Sequence, residues 1–178
     1  NVTLSDNIIF NTGVPFNKHV DNLIIASQDA DGINVAKNIQ VLDNVFYHNV
    51  DFSDYNNFGH GPSLTLGYTS KSPSEDISIL NHVIIVKNNA LNMYHAKSVI
   101  FKNNQIYAGY IHFEVSTLAA LEAGRLKLDN NRYFTRRNYG FRIAKHKDYR
   151  LKDWQDNFNI DKNSQLKQLK DFEINPVL

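Results

Sequence analysis

Val99-Ile-Phe-Lys-Asn-Asn104-Gln-Ile106 is the stretch of sequence that decides the fold, because four other segments share its pattern. These segments are Val2-Thr-Leu-Ser-Asp-Asn7-Ile-Ile9, Ile39-Gln-Val-Leu-Asp-Asn44-Val-Phe46, Ile77-Ser-Ile-Leu-Asn-His82-Val-Ile84 and Leu126-Lys-Leu-Asp-Asn-Asn131-Arg-Tyr133. Each contains two apolar residues at a spacing of two, a turn-like pair, an Asn or His, and another apolar residue two positions later. The spacing of two predicts a half-buried strand, and the short strand directly after the Asn or His indicates a bend rather than a hairpin.

A second set of short strands is predicted between these segments. Its members are Gly32–Val35, Ser63–Leu66, Ala90–Met93, Ile111–Val115 and Gly140–Ile143. The predicted register aligns Ile33, Leu64, Leu91, Phe113 and Phe141. Two interleaved sets with one period indicate an all-β solenoid of about five to six coils, in which each coil buries its apolar residues by stacking on its neighbours. We interpret the recurring Asn as a bend residue that adopts the left-handed conformation and forms an internal ladder of hydrogen bonds. His82 has the same position, so we interpret it as a buried bend residue rather than a ligand.

Residues 149–178 are predicted to close the end of the solenoid, because an uncovered last coil would expose a sheet edge. Leu151, Trp154 and Phe158 have helical spacing, which would lay the chain's only tryptophan over the last core layer. A turn at Asp161–Ser164 and a closing edge segment at 172–176 are predicted to follow. We therefore divide a single domain into solenoid coils at 1–148 and a cap at 149–178.

Composition restricts the classes of partner and compartment. The formal net charge of +1 gives no reason to expect nucleic-acid binding, which requires clustered cations. Without cysteine there is no disulfide framework or thiolate metal site, which is compatible with a secreted or periplasmic bacterial protein. No apolar run is long enough to span a bilayer. The first residues are not a signal peptide and resemble the middle of a strand, so we expect further coils of a longer chain to be missing.

The closing segments of the chain carry a family resemblance. Leu128–Phe134, followed by Leu151–Gln155 and Asp161–Ser164, is similar to the closing coil of many bacterial β-helix polysaccharide enzymes. Nearly the whole chain resembles the right-handed parallel β-helix proteins of the pectate-lyase-like superfamily. The resemblance implies that fold and a carbohydrate-active protein. It does not fix the reaction, since the superfamily includes lyases, polygalacturonases, α-galactosidases, epimerases and phage tailspikes.

The outward residues of the second strand set are predicted to form a shallow groove for an extended polysaccharide or oligosaccharide. In the alternation of each strand these positions are Asn34, Thr65, Asn92, His112 or Glu114, and Arg142. We predict that sugar is bound by Asn34, Asn92, His112, Glu114, Arg142 and Lys145.

Asp29 and Asp31 are the candidate catalytic pair. They lie two residues apart at the start of a predicted strand, so their side chains would project to one side. Glycosidic hydrolysis needs two carboxyl groups, one as acid and one as base or nucleophile. Gln28–Val35 resembles the Asp-Gly-Ile motif of β-helix glycosidases, which implies a catalytic Asp31 with Asp29 as its partner. Gly59-His60-Gly61 is similar to a polygalacturonase motif, which implies that His60 assists them.

Other interpretations of the same residues stay open. Asp29-Ala-Asp-Gly32 is also an ordinary turn sequence. A lyase on uronate polymers would instead need a base and a neutralising cation, for which the candidates are His60, Tyr94, His95, His112, Arg142 and Lys145. A third interpretation is a non-catalytic scaffold or adhesin fragment. We expect no cofactor and no zinc site; Ca²⁺ is compatible with Asp29, Asp31, Asp51 and Asp54 but is not demanded by their spacing.

Overall fold

The computed structural model describes residues 1–11, 21–27, 31, 34–48, 63–86, 89–107, 109–143 and 147–169. These residues are mostly β-strand, and the strands form three sheets. The all-β class predicted from the sequence is confirmed.

Apart from β16, each sheet collects every third strand of those described, which are numbered here in chain order. The first sheet contains β1 (Val2–Ser5), β4 (Lys37–Leu42), β7 (Glu75–Leu80), β10 (Val99–Lys102) and β13 (Leu126–Asp129). The second contains β2 (Ile8–Asn11), β5 (Val45–His48), β8 (Val83–Ile85), β11 (Gln105–Tyr107), β14 (Arg132–Thr135) and β17 (Gln165–Gln168). The third contains β3 (Leu23–Ile25), β6 (Leu64–Leu66), β9 (Asn89–Met93), β12 (Tyr110–Phe113), β15 (Phe141–Ile143) and β16 (Lys147–Tyr149). All pairings are parallel except that of β15 with β16.

The five aligned sequence segments pair in the register that their pattern predicts. In the first sheet the Cα partners of successive strands are Val2, Ile39, Ile77, Val99 and Leu126. The apolar residues two positions later in each of these strands also align with one another. Both sets of apolar residues face inward, and their members in β7, β10 and β13 are buried. Three consecutive strands, one from each sheet, are called here one unit, and the inward apolar side chains of neighbouring units belong to one core cluster.

The predicted Asn ladder is present and continuous. The backbone N–H of each ladder residue donates to the side chain of the ladder residue in the following unit, at 2.7–3.0 Å, in the order Asn7, Asn44, His82, Asn104, Asn131 and Ser164. His82 is buried as predicted; its Nδ1 accepts from Asn44, and its Nε2 lies 2.9 Å from the carbonyl oxygen of Val41. Burial lowers the pKa of His82, which favours the neutral ring that the ladder needs.

The predicted conformation of the ladder residues is wrong by one position. Positive φ angles of 54° to 63° occur at the residue before each of the first five ladder residues, namely Asp6, Asp43, Asn81, Asn103 and Asn130. These residues tolerate the left-handed region because their short polar side chains bond locally. Outside the sheets they form a second ladder, in which the Nδ2 atoms of Asn81, Asn103 and Asn130 each donate to the preceding member at 2.7–3.1 Å.

The second strand set is predicted correctly only in part. Its first member is β3 rather than Gly32–Val35, since Leu23 pairs with Leu64, and Asn34 and Val35 lie in no strand. The predicted strand at Ile111–Val115 ends at Phe113, and the helix α1 (Val115–Glu122) follows. The register prediction was also two residues off, because Ile111 and not Phe113 pairs with Leu91.

The described C-terminal region begins with a short helix packed on the core. The helix α2 spans Leu151–Phe158, as the spacing predicts, and Trp154 is fully buried. The Trp154 ring stacks on Phe141 at a centroid distance of 4.5 Å and lies 4.9 Å from Phe113. The chain then turns as predicted at residues 162–163 and adds β17 to the second sheet. The predicted closing segment at 172–176 lies outside the described residues.

The ladder ends at a buried carboxyl group. Asp161 accepts hydrogen bonds from the hydroxyl groups of Tyr133 and Ser164, and the amide of Asn131 donates to it at 3.3 Å. Burial raises the pKa of Asp161 to about 6, against the opposing effect of these donors. The folded chain therefore holds this proton to higher pH than the unfolded chain does.

Asp161→Asn is expected to remove a pH dependence of stability. Because the pKa of Asp161 is raised in the folded state, its ionisation lowers the free energy of unfolding as pH rises from about 4 to about 7, by about 2 kcal/mol. Denaturant unfolding at the two pH values should show this difference between the parent chain and the variant. Asp156→Asn, on the exposed part of α2, is the control and should leave the pH dependence in place. An unchanged pH dependence in Asp161→Asn would contradict the assignment.

Candidate functional site

The candidate site is the outward row of the third sheet, called here the third-sheet row. Its members on successive strands are Ile24, Thr65, Asn92, His112, Arg142 and Asp148. Their sequence neighbours, such as Leu91 and Phe113, belong to the hydrophobic core. Because side chains alternate along a strand, the row lies on the opposite face of the sheet from that core.

The row is buried at Thr65 and Asn92, which are both 2% exposed. The prediction that these residues face solvent is wrong, because alternation indicates the face of a sheet but not whether that face is covered. Thr65 Oγ1 and Asn92 Oδ1 have no hydrogen-bond partner in the described structure. A buried polar group left without a partner costs about 1–3 kcal/mol. Each of these two oxygen atoms could therefore accept a hydrogen bond from a donor group.

The next residue of the row, His112, lies in an imidazole–carboxylate cluster that is partly open to solvent. His112 Nε2 is 3.7 Å from Glu114 Oε1, and the two side chains are 16% and 32% exposed. His95 lies on the turn after β9, where its backbone N–H donates to Leu66 at 3.3 Å. Burial lowers the pKa of His95, and the Glu114 charge opposes that shift. A carboxylate near two imidazoles can hold or transfer a proton near neutral pH.

Position 114 is fixed by the end of β12 and the start of α1. The Glu114 backbone N–H donates to the carbonyl oxygen of Met93 at 3.0 Å. The Glu114 carbonyl oxygen accepts a hydrogen bond from the backbone N–H of Thr117 in the first turn of α1. The Thr117 hydroxyl lies 3.0 Å from the Met93 carbonyl oxygen and also accepts from Ala96 N–H. The strand-to-helix transition therefore holds the Glu114 backbone against the preceding unit.

Arg142 continues the row as part of a cation–aromatic cluster. Its Nε donates to Asp148 Oδ1 at 2.6 Å, and its Nη2 donates to Asp148 Oδ2 at 3.1 Å and to the Tyr139 hydroxyl at 2.8 Å. Arg137 also donates to that hydroxyl, at 2.7 Å. Both guanidinium groups lie 5.1–5.2 Å from the ring centroid of Tyr110. Such bidentate and cation–π contacts fix the orientation of the Arg142 side chain.

The charges of this cluster are reflected in the pKa values. Hydrogen bonding to Asp148 is the main cause that raises the pKa of Arg142 further above its usual value. Burial raises the pKa of both Tyr110 and Tyr139, against the opposing effect of Arg142 and Arg137. The two tyrosines therefore present neutral hydroxyl groups beside two permanent cations.

The structure brings together only some of the residues predicted from sequence. Asn92, His112, Glu114 and Arg142 lie on or beside the row. Asn34 is exposed and belongs to no strand, and Asp31 is an exposed turn residue. The remaining predicted residues, Asp29, His60 and Lys145, lie outside the described residues, as do Asp51 and Asp54. Within the described residues, no group of three or more His, Asp or Glu side chains is arranged to hold a metal ion.

Sequence reasoning missed Tyr110, Tyr139 and Asp148. Tyr110 had a usable signal, because it stands two positions before His112 and therefore belongs to the same face of β12. The sequence gives no such signal for Asp148. This residue pairs with Arg142 because β16 runs antiparallel to β15, and the parallel repeat does not predict that reversal. Tyr139 precedes its strand, where alternation gives no direction.

Comparisons with known proteins give no family assignment. No family model, curated protein or solved structure matches the chain. In the described part of the chain, the helices are too short or too polar to cross a membrane. A functional interpretation therefore rests on the sheet arrangement and on the third-sheet row.

Proposed function

We propose that the three sheets are the faces of a right-handed parallel β-helix of the pectate-lyase-like kind. The proposal is supported by the repeat of three strands per unit and by the continuous internal ladder. Connections between parallel strands of one sheet are right-handed in about 98% of cases, which favours that hand. Trp154 would then cover the last core layer as part of a C-terminal cap.

We propose that this protein is carbohydrate-active and binds an extended sugar chain at the partly exposed part of the third-sheet row, which contains His112 and Arg142. The observation that supports it most directly is the alignment of the partly exposed His112 and Arg142 on adjacent strands, with Glu114 beside them. Adjacent strands lie about 4.8 Å apart, so these groups form a line of donors and acceptors. Sugar hydroxyl groups both donate and accept hydrogen bonds, and they would match imidazole, carboxylate and guanidinium groups together.

For the reaction, glycoside hydrolysis is the first candidate. Asp29 and Asp31 would act as acid and as base or nucleophile, with His60 in support, because hydrolysis needs two carboxyl groups. A lyase reaction on uronate polymers is the second candidate. It is favoured by the proximity of a histidine base, His112, to the cation Arg142 on the neighbouring strand.

Product analysis on a panel of neutral and uronate polysaccharides tests this proposal. New reducing ends without ultraviolet absorbance indicate hydrolysis, and a rise in absorbance from an unsaturated product indicates a lyase. Binding without turnover would favour the scaffold or adhesin interpretation. Failure to bind any polysaccharide of the panel would contradict the proposed function.

Glu114→Gln and His112→Gln are each expected to weaken binding of the responsive polysaccharide by about tenfold, since each removes one charged or charge-assisted contact. Isothermal titration calorimetry measures the affinity, and denaturant unfolding checks that the fold is kept. Arg132→Gln, an exposed arginine on the second sheet, is the control and should leave the affinity unchanged. Equal affinities for all three variants would mean that the sugar binds elsewhere.

Asp31→Asn separates catalysis from binding in the same experiment. If Asp31 is a catalytic acid, this variant should lose turnover while its affinity stays close to that of the parent chain. Denaturant unfolding checks that the Asp31→Asn variant keeps its fold. Full turnover by Asp31→Asn would exclude the paired-carboxylate mechanism and leave the lyase candidate.

A further inference from the structure

In the part of the chain that the structure describes, no residue covers the core at the end of the stack formed by β1, β2 and β3. In the inward column of the first sheet, Ile77, Val99 and Leu126 are at most 1% exposed, whereas Val2 at its start is 59% exposed. A cavity of about 370 Å³ opens beside it. Its lining includes Val2, Leu4, Leu23, Ile25, Ile39 and Val41. We call this surface the open end.

Among the described strands, the open end also presents one edge of each of the three sheets that no further strand pairs with. The strands β1, β2 and β3 each stand last in the order of their sheet. Of the five large hydrophobic residues that are exposed in the described structure, three belong to these strands, namely Val2, Ile8 and Ile24. Unpaired edges with exposed apolar side chains favour pairing with further strands.

The ladder specifies the direction of those strands. In every later unit, the side chain of the ladder residue accepts the backbone N–H of the preceding unit. Asn7 has the same position and donates through Nδ2 to Ser5 and Asn44, but its Oδ1 accepts no hydrogen bond in the described structure. The acceptor of the first unit is therefore ready for a parallel unit placed before it.

A second copy of this chain does not match these features. At its opposite end the third sheet finishes with the antiparallel strand β16, and Trp154 covers the core. Two open ends facing each other would pair antiparallel strands, which would not bring a bend N–H onto Asn7 Oδ1 as in the other units.

We infer that the open end binds a repeat unit of the same construction, with three parallel strands of the same polarity as β1, β2 and β3. The interface would continue the contact that already exists between neighbouring units of this chain. The preceding unit would bury Val2 and close the cavity, and it would donate a bend N–H to Asn7.

A graft onto the full chain tests this inference. A copy of residues 77–98 is fused directly to Val2, so that the copied Ile77 stands 22 residues before Val2, as the native Ile77 stands before its partner Val99. The copied His82 then has the same relation to Asn7 that His82 has to Asn104. The grafted chain is expected to unfold in one transition with a Tm at least about 5 °C higher. Asn7→Ala should cost more stability in the grafted chain than in the parent chain.

The matched control is the same graft with its copied Ile77 and Ile79 changed to Asp, which should give no rise in Tm. No rise with the apolar graft, or a separate transition at low temperature, would overturn the inference. Sedimentation of the parent chain provides the second measurement, and a monomer is expected. A dimer that dissociates with Ile8→Lys but not with Ile100→Lys, an exposed residue of the inner strand β10, would show that a second copy occupies this end.

Discussion

Gly67→Ala is expected to lower the free energy of unfolding by about 4 kcal/mol, from backbone strain and steric overlap together. Gly67 has a φ of +71°, a conformation that L side chains rarely adopt. A Cβ atom at this position would lie 1.9 Å from the backbone carbonyl oxygen of His95 in the next unit. Because that neighbour is backbone, it cannot move without disturbing the hydrogen bonds from Tyr94 and His95 to Leu66.

Gly124→Ala is the control for the strain alone. Gly124 has a similar φ of +68°, but a Cβ there would meet no atom within 4 Å. Its substitution should therefore cost about 1 kcal/mol. Denaturant unfolding followed by circular dichroism measures both variants. If Gly67→Ala lowers the free energy of unfolding no more than Gly124→Ala does, the close contact between Gly67 and the His95 carbonyl group is contradicted.

Trp154→Ala is expected to cost about 4 kcal/mol, as is usual for removal of a large buried aromatic side chain. The ring is fully buried among four aromatic rings, Phe113, Phe141, Tyr149 and Phe158, at centroid distances of 4.5–5.9 Å. The surrounding residues belong to the strands β12, β15 and β16 of the third sheet and to α2, so a cavity here would loosen several elements together. The indole Nε1 has no hydrogen-bond partner in the described structure, so the loss comes from packing.

Phe134→Ala is the matched control for an aromatic side chain outside the core. Phe134 stacks on Tyr107 at 4.6 Å on the outward face of the second sheet and is only partly buried. The Phe134→Ala substitution should lower the free energy of unfolding by about 1 kcal/mol. Since Trp154 is the only tryptophan, the parent chain should also show a blue-shifted fluorescence that shifts to longer wavelength on unfolding. Equal costs for the two variants would contradict the packing of α2 on the core.

The register of the first sheet could be predicted from sequence to the residue, because two constraints coincide there. The inward apolar pair fixes the face, and the ladder Asn or His fixes the position along the strand, as between Ile77 and Val99. The third sheet has no ladder residue to fix its position. Alternation alone therefore places the first strand of this set at Gly32–Val35 instead of at β3, and it aligns Phe113 instead of Ile111 with Leu91.

The candidate site was predictable only where it follows the parallel repeat. His112 and Arg142 could be placed on one face by alternation, and they are Cα partners. The burial of Thr65 and Asn92 depends on what covers the sheet, which alternation does not encode. The bidentate partner of Arg142 depends on a reversal of chain direction between β15 and β16, for which the repeat gives no signal.

The hydrogen bonds of the internal ladder also give the series of units a net dipole. Every ladder bond has its N–H on the earlier unit and its acceptor on the later one, from Asn7 to Ser164. The bond dipoles therefore add, much as peptide dipoles add along a helix, with the positive end toward the C-terminal region. The buried carboxyl group of Asp161 lies at that end. The aligned dipoles thus favour its negative charge and partly offset the cost of its burial.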